Sequence, residues 1–137
     1  MPDMVAVEVP VKVKNVTVNS IKDVDAKYKT SVPKLIKPQI EKGLAKIKLQ
    51  IPKDKKLGAL AVDVAVTIKR TDKGVNVKVS MVPSEDNKML GGANGEATAE
   101  LDKGADPDDG HVNAAAQGAA DAAIDGVKTV FKTKLKD

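Results

Sequence analysis

The sequence predicts an α+β domain: an antiparallel sheet of about five strands, one N-terminal plus a four-strand meander, with one face covered by a kinked or split helix and a long C-terminal helix. Three observations carry this. Apolar residues alternate strictly with polar ones through much of residues 5–18 and 47–101, they recur at helical spacing over residues 20–43, and an alanine-rich helical stripe closes the chain at residues 109–134. All 137 residues fit one domain, 1–137.

At the start, Val5, Val7, Val9, Val11 and Val13 lie on one side of a strand, and the parity flips at Lys14 and Asn15 so that Val16 and Val18 continue it. A β-bulge or bend explains the flip. Pro10 donates no ladder hydrogen bond, so the strand is expected at an edge or bulged there. From Ser20 the period changes. Ser20 and Asp23 resemble a capping box, and Ile21, Val24, Tyr28, Val32 and Leu35 occupy one helical sector, with Ile36 and Ile40 about 100° round from it. Pro33 and Pro38 lie at that change of phase, which predicts a kink or a break, with Gly43 closing the helix.

Ile47, Leu49 and Ile51 alternate with Lys46, Lys48 and Gln50 and predict the first strand of the meander, although Leu44, Ile47 and Ile51 also fit a continued helix. Leu60, Val62, Val64, Val66 and Ile68 then share one strand face, and Val75, Val77, Val79 and Met81 share the next. Joined through Thr71, Asp72, Lys73 and Gly74, the two strands predict a hairpin in which Arg70 meets Val75, Ile68 meets Val77 and Val66 meets Val79. Gly74 reads as the residue taking positive φ in that turn. Ala97, Ala99 and Leu101 predict the last strand. In the final helix, Val112, Ala116, Ala119, Ala120, Ala123, Ile124, Val127, Val130, Phe131 and Leu135 form the apolar stripe, and Gly118, Ala122 and Gly126 form a ridge of small residues. Such a ridge predicts close packing on Gly95, Ala97 and Ala99.

The chemistry-bearing residues are few. With no Cys, thiolate nucleophiles, cysteine metal sites and disulfides are excluded. The lone His111 sits beside a helix N-cap, and no serine lies in a nucleophile elbow. Gly91, Gly92 and Gly95 lack the Lys-Ser/Thr of a phosphate loop. Asp102, Asp106, Asp108 and Asp109 do not match the spacing of a calcium loop and read as capping and solvating groups. The expectation is a non-enzyme with no metal and no cofactor. A signal peptide and an apolar run long enough to span a membrane are both missing, which favours a cytoplasmic protein.

Charge is the one strong polarity. Residues 1–60 carry 13 Lys against 6 acids, whereas residues 84–110 carry 2 Lys against 8 acids. Lys34, Lys37, Lys42, Lys46, Lys48, Lys53, Lys55 and Lys56 fall in one stretch, diluted only by Glu41 and Asp54. Two functional expectations follow. The first is a structural or protein-interaction domain that associates with itself or another protein, through an edge strand or the opposite-sign segments. The second is sequence-nonspecific binding of a polyanion, nucleic acid or an anionic surface, on those eight lysines. Specific nucleic-acid readout is disfavoured by a single Arg, Arg70, and by just two aromatic residues, Tyr28 and Phe131.

Overall fold

The computed structural model describes residues 3–135. Nine elements follow one another: β1 (Met4–Val9), β2 (Val11–Lys22), α1 (Tyr28–Gly43), β3 (Ile47–Pro52), β4 (Leu60–Arg70), β5 (Gly74–Glu85), β6 (Lys88–Met89), β7 (Ala93–Glu100) and α2 (Asp109–Lys134). The class is α+β, with a five-stranded mixed sheet, a separate two-stranded sheet and two helices.

In the larger sheet β2 pairs with β4 and β4 with β5; the other side of β5 is shared by β7, along Gly74–Met81, and by the short β6. The central hairpin has the register read from its alternation: Arg70 faces Val75, Ile68 faces Val77, Val66 faces Val79 and Val64 faces Met81. Val62, Val66, Ile68, Val75, Val77 and Val79 are completely buried. The turn differs from expectation in one respect. Gly74 does not take positive φ; a side chain there would place its Cβ 1.9 Å from the Ala99 carbonyl oxygen on β7. Glycine is needed for proximity.

The all-antiparallel meander is corrected in two places. β3 is not a neighbour of β4; it pairs antiparallel with β1 in the small sheet, Val5 opposite Ile51 and Val9 opposite Ile47. The slot beside β4 is filled by β2, running parallel to it. Connectivity supplies the reason. A parallel pair needs a long crossover. Here α1, packed on β2, together with β3, which runs against β1, carries the chain back to the end where β2 began. Pro10 falls where β1 ends and β2 starts, so the proline that cannot serve a ladder marks the passage from one sheet to the other. The parity flip at Lys14 and Asn15 is a register shift between Val13 and Val16, as the alternation implied.

The first helix is also corrected. It starts at Tyr28, because residues 20–22 remain in β2 and Asp23 turns the chain with φ of 57°. Ser20 and Asp23 therefore form no capping box, and Ile21 belongs to the strand. α1 is one uninterrupted helix with Pro33 and Pro38 inside it. Each proline removes one i→i−4 bond. What holds the helix is a buried stripe, Tyr28, Val32, Ile36 and Ile40, continued by Leu44 just past its end. Gly43 is its last residue and lacks positive φ; there Ile124 of α2 comes within 3.0 Å of where a Cβ would stand.

Both helices lie on the valine face. α2 packs on β5 and β7 and touches β3, and α1 packs on β2 and α2. Ala116, Ala119, Ala120, Ala123 and Phe131 are completely buried. A Cβ at Gly95 would lie 1.9 Å from the Ala119 carbonyl oxygen, and one at Gly126 would lie 2.8 Å from the Ala93 Cβ. The predicted close approach of α2 to the last strand is therefore present. Phe131 plugs the space that alanines cannot fill.

Candidate basic groove

Eight lysines are adjacent in sequence, but the fold divides them. Lys34 and Lys37 stand on the exposed side of α1, and Lys53 and Lys56 lie in the loop from β3 to β4. Lys55 donates from Nζ to the Leu135 carbonyl oxygen at 2.7 Å, tying that loop to the end of α2. Lys42, in the last turn of α1, and Lys46 and Lys48, at and on β3, meet a different part of the chain.

That part is the C-terminal half of α2. Ile47, Leu49 and Ile51 turn inward and are buried, so alternation sends Lys48 and Gln50 outward. Lys128 and Lys132 are one helical turn apart and share a face. Lys46, Ile47, Lys48, Lys128 and Lys132 together line a groove of about 290 Å³. The groove continues on one side past Met4, Gln50 and Thr133. On the other it runs into a cleft between the helices, lined by Gln39, Lys42, Asp121, Asp125 and Lys128. There Gln39 donates from Nε2 to the Gln117 carbonyl and to Asp121, which fixes that carboxylate toward α1.

The electrostatics are lopsided. Among the described residues, the ion pairs within 4 Å are Lys27 with Asp109 and His111 with Asp108, both at the opposite end of α2. None of Lys42, Lys46, Lys48, Lys128 and Lys132 has such a partner there. The end of the helix offers them its C-terminal partial negative charge, and Asp121 and Asp125 line the cleft beside Lys42 and Lys128. That dipole accounts for Lys132 and Lys134 in the last turn, and it was the sole signal for them in the sequence. A helical pair of lysines four apart and a pair two apart at the start of β3, Lys46 and Lys48, are each visible in the sequence; the contact of α2 with β3 joins them.

At the acidic end, Asp108 caps α2 by accepting from the His111 backbone N–H at 2.9 Å, and His111 Nδ1 is 2.6 Å from the same oxygen. These hydrogen bonds hold the Asp108 carboxyl below its usual range. Asp109 accepts from the Tyr28 hydroxyl at 2.8 Å and lies 3.1 Å from Lys27 Nζ; the Tyr28 bond, then Lys27, lowers its pKa. Burial, aided by Asp109, raises the Tyr28 phenol. His111 thus serves helix capping. The described residues include no group of three or more His, Asp or Glu arranged to hold a metal ion, and no described helix is long and apolar enough to cross a membrane.

Comparison of the chain with protein-family models, with curated proteins and with solved structures found no match.

Proposed function

We propose that this chain is a non-catalytic binding domain that takes polyanions along the groove between β3 and α2. The observation that carries the reading is the convergence of Lys46 and Lys48 with Lys128 and Lys132, from segments far apart in sequence, with no carboxylate within 4 Å of any of them among the described residues. Four ammonium groups on one strip repel each other, and a bound polyanion would relieve that repulsion.

The residue types set the kind of recognition. Lysine is a hydrated point charge and reads no base edge or bidentate phosphate geometry. Of the aromatic rings, Tyr28 and Phe131 are both buried, so neither offers a stacking platform. Binding should therefore be electrostatic and tolerant of sequence. Each neutralised phosphate releases condensed counterions, so about four contacts give roughly a hundredfold loss of affinity for duplex DNA between about 50 and 200 mM salt.

Fluorescence anisotropy with a labelled duplex and with a heparin fragment, titrated at several salt concentrations, tests this. Lys128→Glu with Lys132→Glu should abolish binding, while Lys34→Glu with Lys37→Glu should leave most of it. Failure to bind either probe at low salt, or an affinity indifferent to salt, would refute the proposal.

A further inference from the structure

Both helices cover one face of the five-stranded sheet, and among the described residues no helix packs on the other. Its composition is unlike a solvated surface at the centre and unlike a core throughout. Across the middle runs a row of short uncharged side chains, Thr17 on β2, Ala65 on β4, Ser80 on β5 and Asn94 on β7, each directly paired with the next. Val82 extends this patch, and a shallow hollow of about 360 Å³ lies over it. Asp63, the carboxylate of β4, accepts a hydrogen bond from Asn15 at 3.3 Å.

Charge is weighted toward opposite flanks, with Lys78 of β5 lying between them and directly paired with Glu96. At one end of the sheet Lys22 on β2 pairs with Lys69 on β4, and on the far strand at that same end are Glu96 and Glu100. Asn76 holds Glu96 in place by donating from Nδ2 at 2.9 Å. We infer that this open face is the contact between two copies of the chain, stacked sheet on sheet about a two-fold axis parallel to the strands.

The charge pattern selects that axis. A two-fold along the strands keeps each level of the sheet and exchanges its sides, so β2 lies over the partner's β7 and β4 over the partner's β5. Lys22 of each copy then stands over the Glu96 and Glu100 region of the other, twice by symmetry, and the Thr17-to-Asn94 row meets its own reverse. A two-fold across the strands would instead bring Lys22 over the same strand's Lys12 and set like charges together. Size is sufficient. Eleven residues at about 3.3 Å and four strands at about 4.8 Å make a face on the order of 600 Å² per copy, hence about 1,200 Å² buried in all, at the lower bound of stable interfaces. Short side chains in the central row let the two sheets approach to the usual spacing of about 10 Å.

Sedimentation equilibrium over a wide concentration range reads the assembly. The chain should form a dimer that dissociates on dilution. Ala65→Arg, and separately Ser80→Arg, should leave a folded monomer, with far-UV circular dichroism reporting the fold. Lys22→Glu with Lys69→Glu should weaken the dimer roughly tenfold or more through like-charge contact, and adding Glu96→Lys with Glu100→Lys should restore it. A monomer at every concentration, a dimer that survives both arginine variants, or a charge reversal that is not rescued would overturn the inference. The Lys128→Glu, Lys132→Glu chain should dimerise normally, which separates this outcome from that of the groove.

Discussion

Replacing Gly95 with alanine adds a single methyl group and should unseat the longest helix. The Cβ would stand 1.9 Å from the Ala119 carbonyl oxygen and 2.6 Å from the Ala123 nitrogen, both backbone atoms of α2, whereas real Cβ contacts essentially never fall below 3.0 Å. No side chain can rotate aside to make room, so α2 must retreat from β7 by about 1 Å or more. A gap of that size forfeits a quarter to a half of the dispersion energy of the atoms lining it. Ala116, Ala119, Ala120 and Ala123 all sit in this seam with no exposed surface. The cost should reach the upper end of the range for overpacked cores, about 3 kcal/mol, against a total of roughly 5–15 kcal/mol for a typical domain. Heat denaturation should come roughly 10 °C earlier. Urea titration followed by far-UV circular dichroism is the suitable assay, since the chain has no Trp and one Tyr. Gly118→Ala is the matched control. Its Cβ would meet the Ala97 Cβ at 3.4 Å, an ordinary contact, and the gain in helix propensity should stabilise the protein by up to about 1 kcal/mol. If Gly95→Ala cost less than about 1 kcal/mol, or if the two substitutions shifted stability in the same direction, the close-packed seam would be wrongly placed.

Phe131→Ala removes the one completely buried ring and should cost about 3–5 kcal/mol, measured by the same titration, because neighbouring alanines cannot collapse into the space. Acid should weaken the contact between the starts of α1 and α2. The Asp109 carboxyl is lowered from its ordinary value near 3.8, so its contribution is complete above that value and is lost as pH falls through the lower folded one. Midpoints measured between about pH 5 and pH 2 should fall less steeply for Asp109→Asn than for the parent. An identical slope in the two proteins would remove Asp109 from the acid response.

Much of the sheet was legible because strand alternation reports which face a residue occupies. Val66 against Val79 and the bulge at Lys14 and Asn15 both follow from parity alone. Parity does not report which strand lies next door. β3 satisfies the same pattern beside β1 as it would beside β4, so the choice depended on where α1 delivered the chain. Ile21 and Val24 fitted a helical sector and a strand edge equally well, and the turn at Asp23 decided between them. The groove shows the same limit. Lys46 and Lys48 stood in the predicted basic stretch, but Lys128 and Lys132 were explained by the helix dipole, and their meeting required β3 to leave the main sheet. Lys34 and Lys37 lie on α1, and Lys53 and Lys56 in the loop from β3 to β4, outside the lining of that groove.

The parallel pairing of β2 with β4 bears on how the chain is made. As synthesis proceeds, Val11 waits for Leu60 and Lys22 for Lys69, while β4, β5 and β7 can zip together from local turns. Contacts so distant in sequence form slowly. In that interval β2 is a long, valine-rich segment with open backbone groups, the kind of stretch that seeds aggregates. Lys12, Lys14 and Lys22 are spaced along it, and charges so placed disfavour pairing between copies. Neutralising them should lower the yield of soluble protein on expression more than it lowers the equilibrium stability of what does fold.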